Sequence, residues 1–381
     1  MKTIPFGRPM IGKEEKEAVS DVLDGQILVH GPKTGEFEAA FASYVKASSA
    51  VSVSSCTAGL HLFYFNRGIR DGDEVIVPAQ THVATAHVVE LCGAKPVFVD
   101  AEIGSGNIDI NQIEAAITDK TKAVSVVHFL GMPVDMTRIN AIAQKHGLLV
   151  IEDCALAIGA RLDGCHVGLH GDIGSFSFYP VKHMTTAEGG MLISQHDDIL
   201  KLLSRQKAFG VDRHMGERKI PGEYDVKQLG FNYRLNEIQA AIGIEQVKRL
   251  PDFLARRKSN YIRLHRQLAE VEEVDLFESS HDRFESSYYC LSVLLKPSLV
   301  DKRFEIIQNL KRNGIGTSIY YPRPVPHFTY YREKYGYQES SFPVAARISY
   351  CSIALPVGPH LSEEDMDYIV YHLKSAIKEA V

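Results

Sequence analysis

Two residues of this chain have the types and surroundings that imine chemistry needs: one lysine and one aspartate. Lys182 lies in a short polar loop between an apolar strand-like segment and a pair of glycines. Asp153 ends an earlier apolar segment, 148–153. A lysine amine can form a Schiff base with an aldehyde, and a carboxylate can keep a pyridine nitrogen protonated so that the ring withdraws electrons. The pair therefore predicts a site for pyridoxal 5'-phosphate (PLP).

Each of these residues also has an ordinary structural explanation. Most lysines of a chain are solvated surface side chains, and strand-end acids often cap the turn that follows. A Schiff-base lysine must be neutral for part of its cycle, so a desolvated site near other cations would favour that role by lowering its pKa. Glu152 is the competing acid. Because side chains alternate along a strand, only one of Glu152 and Asp153 can face a cofactor.

Small and hydroxyl residues join an apolar segment to a helix-like stretch that begins near Thr57. Backbone N–H groups and the dipole at a helix start attract phosphate, which makes Thr57 and Ala58 candidate phosphate ligands. An N-cap formed by Ser55 or Thr57 would explain the same residues. Ser177 precedes Lys182 by a few residues, and its hydroxyl could reach the same phosphate.

Two further polar residues stand at predicted helix starts. His82 follows an apolar strand and could lay its ring against a pyridine face, although a capping or core histidine is the simpler interpretation. Asn232 also precedes a helix, where asparagine is normally a cap. The remaining histidines, including His128, His183 and His327, lack metal-ligand spacing, so no metal is predicted.

Composition and charge exclude several classes of function. The chain has 381 residues, 45% of them hydrophobic, and a formal net charge of −5. No basic tract marks a nucleic-acid surface, and no apolar run reaches the roughly 18–20 residues of a membrane span. The N-terminal segment has no apolar stretch typical of a secretory signal. Six scattered cysteines without a Cys-x-x-Cys pair indicate reduced packing residues in a cytoplasmic protein.

The hydrophobic pattern predicts an α/β fold. Apolar segments alternate with helix-like stretches, as in a mostly parallel sheet flanked by helices, where ligands bind beyond the carboxyl ends of the strands. The segments are 50–55, 74–78, 96–100, 123–129 and 148–152, with helices near 109–118 and 136–146. Residues 1–250 are predicted to form a large cofactor-binding domain. Residues 251–381, starting with a charged helix at about 253–270, are predicted to form a smaller α+β domain, with the helix at about 13–23 packing near it.

Taken together, these residues resemble the DegT/StrS-type PLP-dependent sugar aminotransferases, which have the fold type I architecture of aspartate aminotransferase. The resemblance covers nearly the whole chain, and the lysine block 175–190 is its specific part. The supporting motifs are Gly31-Pro32-Lys33, Thr57-Ala58-Gly59-Leu60, the segment 72–78, Ile151-Glu152-Asp153, Asn232-Tyr233-Arg234, Gln239-Ala240-Ala241 and Leu355-Pro356.

The resemblance assigns a role to each candidate. Lys182 would form the Schiff base with PLP and then move protons, with pyridoxamine phosphate (PMP) as the alternate form of the cofactor. Asp153 would pair with the pyridine nitrogen. His82 would lie on the ring. Thr57, Ala58 and Ser177 would hold the phosphate. Asn232 would reach the phosphate in the partner subunit, which implies a homodimer with shared active sites.

Two positions depart from the family. Leu156 stands where the family commonly has glutamine or histidine near the ring hydroxyl of the cofactor, and leucine cannot donate a hydrogen bond. His82 is an imidazole where a larger aromatic ring is usual. Neither departure removes a group that the chemistry requires, so both are expected to mark an unusual substrate subgroup or an adjusted Schiff-base pKa.

The resemblance implies transfer of an amino group from glutamate to a keto-sugar, expected to be a nucleotide-linked 4-keto-6-deoxy sugar for a surface polysaccharide. Lys33, Tyr321, Arg323 and His327 are the candidate substrate residues; solvated loop charges explain them equally well. A PMP-dependent sugar dehydratase of the same family would have lost Lys182, while cyclitol and aminohydroxybenzoate enzymes of the family stay open. A non-catalytic regulatory relative would bind no PLP.

Overall fold

A seven-stranded sheet organises the first half of the chain in this computed structural model, which describes residues 2–212, 220 and 222–380. The strands lie in the order β1-β9-β8-β5-β4-β2-β3. Their bounds are β1 Ala50–Val53, β2 Glu74–Pro78, β3 Lys95–Val99, β4 Thr121–Val127, β5 Leu149–Asp153, β8 Ile173–Ser177 and β9 Gly190–Ile193; the short strands β6 Arg161–Leu162 and β7 Cys165–His166 lie outside the sheet. Strands β2, β3, β4, β5 and β8 are parallel, and β9 runs antiparallel to both β1 and β8.

Helices cover both faces of this sheet. On β2, Val75 and Val77 belong to one buried core, while Ile76 between them packs in another core with Ile113 and Ile139. The helices of this part of the chain are α1 Lys13–Leu23, α2 Pro32–Val45, α3 Cys56–Asn66, α4 Val83–Leu91, α5 Ile110–Ala116, α6 Met136–His146, α7 Asp197–Gln206 and α8 Glu237–Leu268. The predicted mixed α/β architecture, with a mostly parallel sheet, is confirmed.

A second, smaller sheet follows. Strands β10, β12 and β13 form an antiparallel sheet in that order, beside helices α9, α11 and α12, while Tyr331 of α10 packs in the core of the large sheet. The bounds are β10 Val274–Leu276, β11 Phe284–Glu285, β12 Leu291–Leu295, α9 Arg303–Arg312, α10 Thr329–Tyr335, α11 Pro343–Cys351, β13 Ser352–Leu355 and α12 Glu363–Ala380. Its core also contains Ile4, from a segment that pairs with Ile315. Among the described helices, none has the length and apolar character needed to cross a membrane.

Helix α8 differs from the expected helix at about 253–270. It is a continuous helix of 32 residues that passes through Pro251. Proline removes one backbone hydrogen bond from a helix interior, but buried side chains on both sides of Pro251, such as Ala240 and Leu264, pack in two different cores. This packing compensates for the lost bond. The predicted boundary at 250/251 therefore falls inside a helix, and the division into two domains stays a prediction.

The N-terminal helix packs on the first half of α8. Glu15 of α1 is buried and accepts hydrogen bonds from Gln246 at 2.7 Å and from Arg249 at 2.6 Å, both of which precede Pro251. This differs from the expectation that the helix packs near residues 251–381. Ile4, which lies upstream of the helix, packs in the core of the smaller sheet instead.

Two details of the second half also bear on the sequence prediction. The alternating pattern of residues 287–295 predicts one strand, but pairing begins only at Leu291, because the N–H groups of Ser287 and Tyr289 donate to the carbonyls of Gly131 and Leu130 instead. Ser362 and Asp365 have the spacing that predicts a capping box before α12, and the structure contains it. Asp365 accepts from the Ser362 N–H at 2.8 Å, and its own N–H donates to the Ser362 hydroxyl at 3.3 Å.

Candidate active site

The carboxyl ends of the parallel strands surround a cavity of about 260 Å³. In open α/β sheets this is the edge at which ligands bind. The cofactor cavity, as we name it, is lined by Ser55, Cys56, Thr57, Leu60, Thr81, His82, Ala84, Val127, Asp153, Ala155, Leu156, Ser177, Tyr179, Lys182, Glu188 and Tyr321. Six of the residues singled out in the sequence, Thr57, His82, Asp153, Ser177, Lys182 and Tyr321, thus meet at one place.

Lys182 projects from the loop that follows β8. Its backbone N–H donates to the carbonyl of Tyr179 at 2.9 Å, which forms a turn and fixes the start of the side chain. The amine is enclosed by protein atoms, and this burial lowers the pKa of Lys182 to about 8, although the nearby Asp153 carboxylate acts to raise it. A lysine with this pKa is neutral in a substantial fraction of molecules near neutral pH, as an attack on an aldehyde requires.

Asp153 is held at the end of β5 by two donors. The Thr85 hydroxyl donates to Oδ2 at 2.9 Å, and the Ala155 N–H donates to Oδ1 at 3.1 Å. Because the Thr85 proton is used in this way, the Thr81 hydroxyl at 2.8 Å must donate to Thr85. The Cys56 thiol, a weak donor, also lies 3.8 Å from Oδ1, so Oδ2 is the oxygen that keeps a free lone pair. The carboxylate can therefore accept a further hydrogen bond from a group in the cavity.

Glu152, the neighbouring acid, faces away from the cofactor cavity. Its carboxylate accepts from His128 Nε2 at 2.9 Å and from the N–H groups of Gly168, His170 and Gly171. Burial raises the pKa of Glu152, but these hydrogen bonds outweigh burial and keep it below its usual value. Cys154 lies close enough to complete a metal-like cluster with these two side chains. The Glu152 oxygens, however, already have donors, so the cluster is a structural network.

The start of α3 offers donors to an anion. The Ser55 hydroxyl caps the helix by accepting from the Ala58 N–H at 3.0 Å, while Thr57 lines the cavity. Gly190 allows β9 to approach this turn, since a Cβ there would lie 2.5 Å from the carbonyl carbon of Ser55. The Ser177 hydroxyl faces the same cavity. Hydroxyl and backbone groups at a helix N-terminus are the usual partners of a phosphate.

His82 and Tyr321 form another part of the wall. His82 caps α4, with Nδ1 accepting from the Ala84 N–H at 3.2 Å, and its ring lies 5.7 Å from that of Tyr321 in an edge-on contact. Burial lowers the pKa of His82, which favours the neutral imidazole. Leu156 presents an apolar side chain to the cavity, so the departure noted in the sequence leaves this wall without a side-chain donor at that point.

Five other candidates lie outside this lining in the described chain. Lys33 forms an ion pair with Glu36 at 2.8 Å on the surface, and Arg323 is exposed. His327 is buried, with Nε2 donating to the carbonyl of Ser341 at 2.8 Å, so the structure gives it a packing role rather than a place on the cavity wall. Asn232 is exposed beside the bridge to Ala208. Ala58 also lies outside the lining, and its N–H donates to the Ser55 hydroxyl.

The site contains residues that the sequence did not single out. The Thr85 hydroxyl orients the Asp153 carboxylate. A threonine inside an apolar helix does not by itself indicate a site residue, so the sequence did not identify it. Tyr179 lies at the cavity wall as a neighbour of the lysine block. Tyr289 places its ring 5.3 Å from Lys182 Nζ although it is more than 100 positions away in the chain. Only the tertiary fold brings such residues together.

The residues present fit PLP. A buried lysine with a lowered pKa would hold the aldehyde end, and a strand-end carboxylate with a free lone pair on Oδ2 would accept from the protonated pyridine nitrogen. The cap of α3, with Ser177 nearby, would hold the phosphate. The cavity volume of about 260 Å³ is compatible with a bound cofactor. The one poor match is Leu156, which leaves the ring hydroxyl without a side-chain partner.

Comparison with known proteins points to the same chemistry. The family model described as the DegT/DnrJ/EryC1/StrS aminotransferase family matches residues 9–374. The chain is similar to the spore coat polysaccharide biosynthesis protein SpsC of Bacillus subtilis, with 36% identity over 99% of this chain and 98% of that protein. The putative sugar aminotransferase Spr1654 from Streptococcus pneumoniae, solved in PLP and PMP forms, superposes with a TM-score of 0.94 at 29% identity over 100% of both chains.

Another solved structure shares this fold. Helicobacter pylori PseC, an aminotransferase involved in the biosynthesis of pseudoaminic acid, superposes with a TM-score of 0.91 at 26% identity, over 99% of this chain and 100% of that one. The family match spans nearly all of the chain, including every residue of the cofactor cavity. This chain therefore belongs to the DegT/DnrJ/EryC1/StrS aminotransferase family and is a PLP-dependent aminotransferase.

Proposed function

We propose that this enzyme transfers an amino group from glutamate to a keto-sugar, and that the keto-sugar is a nucleotide-linked 4-keto-6-deoxy sugar used in a surface polysaccharide. Relatives with sugar aminotransferase and spore coat polysaccharide names support the sugar as acceptor. The observation that carries the proposal is the meeting of Lys182 and Asp153 at one cavity. A carboxylate and a poised amine there provide the two groups that an amino-transfer site requires.

In this mechanism, Lys182 is the proton carrier. When bound, PLP would supply an aldehyde that can take up an amino group and a ring that withdraws electrons, with PMP as its alternate form. Lys182 Nζ takes the α-proton of glutamate and delivers it within the cavity, a transfer suited to an amine with a pKa of about 8. Asp153 holds its negative charge against the ring nitrogen, and Thr85 keeps that carboxylate in place.

The remaining cavity residues orient the cofactor. Thr57, Ala58 and Ser177 are proposed to hold the phosphate, and His82 to lie on the ring. Asn232 is proposed to reach the phosphate of the partner subunit in a homodimer with shared sites; its exposure in a single subunit is consistent with a contact across an interface.

Tyr321 is the candidate substrate residue that the cavity geometry favours, since it lines the cofactor cavity beside His82. Arg323, exposed two residues further on, is proposed to meet the diphosphate. Lys33 is a weaker candidate because Glu36 neutralises it, and His327 is weaker still because it is buried beside Ser341.

The intact Lys182 favours amino transfer over the PMP-dependent dehydratase reaction. Cyclitol and aminohydroxybenzoate acceptors stay as alternatives within the family. We propose a cytoplasmic location, which fits six cysteines that are all unpaired. We also propose neither a nucleic-acid nor a membrane partner, which fits the net charge of −5. The site makes no use of a metal in this proposal.

The acceptor can be tested with glutamate that carries an isotopic label on its amino nitrogen. The enzyme, PLP and labelled glutamate are incubated with a panel of nucleotide-linked keto-sugars, cyclitol ketones and aminohydroxybenzoate precursors, and the products are separated by mass spectrometry. We expect the label in the 4-amino sugar nucleotide. Label in a cyclitol, or in none of the sugars, would refute the proposed acceptor while leaving the aminotransferase chemistry intact.

A further inference from the structure

A second, smaller chamber of about 20 Å³ also borders Lys182. Its lining includes His183, Arg257 and Tyr289, and Tyr289 lies outside the lining of the cofactor cavity. The Lys182 side chain thus forms part of the wall of both spaces. One space would take the cofactor; the other is bounded by cations and aromatic rings.

The ring of Tyr289 is the common contact in this chamber. Lys182 Nζ lies 5.3 Å from the ring centroid, and the guanidinium carbon of Arg257 lies 5.9 Å from it. The His183 ring is 5.5 Å away. A lysine amine within about 6 Å of an aromatic face is attracted by the ring quadrupole, most strongly where water is excluded. Tyr289 is 2% exposed, so the contact is of the desolvated kind.

Tyr289 is itself fixed from two sides. Its hydroxyl shares a hydrogen bond of 2.8 Å with the hydroxyl of Tyr320, and Arg257 Nη1 donates to its backbone carbonyl at 2.5 Å. Arg257 is buried, and no carboxylate of the described residues lies within ion-pair distance of it. The carbonyl and the aromatic face are therefore the groups that stabilise this buried guanidinium, which keeps it pressed against Tyr289.

We propose that Tyr289 is a positioning residue for Lys182: its ring holds the lysine amine at the wall of the cofactor cavity whenever that amine is not bonded to the cofactor. Arg257 and Tyr320 hold the ring in turn. The inference rests on the proposal that Lys182 carries PLP. Because a lysine has a flexible four-carbon stem, an amine without such a contact would spread over many rotamers. The ring would thus prepare the amine for each return to the aldehyde.

The test measures how fast apoprotein captures PLP. In capture, the amine adds to the aldehyde carbon and water leaves; borohydride then adds hydride to the C=N bond, and solvent supplies the proton. We expect Tyr289→Leu to capture PLP roughly tenfold more slowly, because an amine no longer held by the ring must give up the rotamer freedom of a lysine side chain on each approach to the aldehyde. Tyr289→Phe keeps the ring face and should recover most of the rate. Its loss of the Tyr320 hydrogen bond should matter less.

Tyr261→Leu is the matched control. Tyr261 is a buried tyrosine of α8 that packs on Tyr288, so its loss removes similar volume without touching Lys182. We expect this variant to unfold more easily yet to capture PLP at the wild-type rate. If Tyr289→Phe is as slow as Tyr289→Leu, or Tyr261→Leu is as slow as either, the ring is not the cause and the inference is wrong. Equal rates in all variants would overturn it as well.

Two measurements keep the outcome decisive. If Tyr289→Leu does not fold, Tyr289→Met fills the space without an aromatic face, and a crystal structure of wild-type apoprotein must show Lys182 Nζ within about 6 Å of the ring. An amine found elsewhere refutes the inference.

The borohydride-treated wild-type protein is also digested, and the labelled peptide is identified. A label outside Lys182 refutes the proposed role of that lysine, whereas a label on Lys182 with unchanged variant rates refutes only the role of Tyr289.

Discussion

Lys182 and Asp153 owe their chemical properties to opposite kinds of surroundings. Burial removes water from the lysine amine, while two hydrogen-bond donors support the aspartate at its strand end. The amine is thereby made easier to deprotonate, and the carboxylate keeps a defined direction. Groups with contrasting environments in one cavity are typical of acid–base sites.

The lowered pKa of Lys182 predicts a pH dependence. Below its pKa the amine is protonated and cannot attack an aldehyde, so the rate of PLP capture by apoprotein should rise about tenfold per pH unit in acid. It should level off above pH about 8, where the amine is neutral. Stopped-flow absorbance over a pH series measures this directly. A rate that climbs without levelling toward 10.5, the value for an unperturbed lysine, would contradict the burial of the amine.

The two adjacent acids predict two different mutant phenotypes. Asp153→Asn keeps the shape but loses the charge, so we expect turnover to fall roughly 10²-fold or more while the protein stays folded. Glu152→Gln should instead lower the free energy of unfolding by roughly 2–4 kcal/mol, because its amide would face the donors His128 and Gly168. Steady-state rates and denaturant melts separate the effects. Equal loss of activity and of stability in both variants would contradict this division.

Some site residues could be predicted from sequence, and others could not. Lys182 and Asp153 stand beside apolar strands, and strand ends determine where a side chain emerges in a parallel sheet. His327 and Lys33 lie in loops, where local chemistry does not fix direction; the structure buries the first and pairs the second with Glu36. Tyr289 comes from a distant segment that only folding brings to Lys182.

At the scale of elements, apolar runs predicted strands better than they predicted helix ends. The segments 74–78 and 136–146 match β2 and α6, since a buried strand and an amphipathic helix leave distinct periodicities. Helix α8 was missed as one unit because Pro251 normally ends a helix. Contacts with two cores, which no local pattern reveals, keep it continuous.

The capping box of α12 predicts a stability change confined to one helix. Ser362→Ala removes the hydroxyl that accepts from the Asp365 N–H, so we expect about 1 kcal/mol less stability in a denaturant titration. Ser375→Ala, in the same helix and bonded only to exposed Glu379, is the control and should stay within about 0.5 kcal/mol of wild type. Equal losses in the two variants would show that the cap contributes no special stability.

At the scale of the whole molecule, the two parts of the chain are joined at several places. Strand β11 pairs with β6, and Ile4 packs in the core of the smaller sheet. Tyr289, which precedes β12, contacts Lys182 from the other part of the chain. The sequence predicted two domains from a change in composition. It could not predict these long-range contacts, because each depends on the relative placement of the two sheets.

The proposed shared site predicts complementation between inactive subunits. In a mixed dimer of Lys182→Ala and Asn232→Ala subunits, one site would combine the intact Lys182 with the partner's intact asparagine. Random mixing should then restore about a quarter of the wild-type sites, since half of the dimers are mixed and each has one complete site. Activity after co-refolding, compared with each variant alone, measures the recovery. No recovery above the Asn232→Ala baseline would contradict a shared site.

The measurement that tests the central claim most directly is the absorption spectrum of the purified protein with PLP, before and after glutamate is added. We predict a bound-cofactor band that requires Lys182, that disappears with glutamate but not in buffer, and that is accompanied by an equivalent amount of 2-oxoglutarate. A band that glutamate leaves unchanged, or one that persists unaltered in Lys182→Ala, would contradict an aminotransferase built on this lysine.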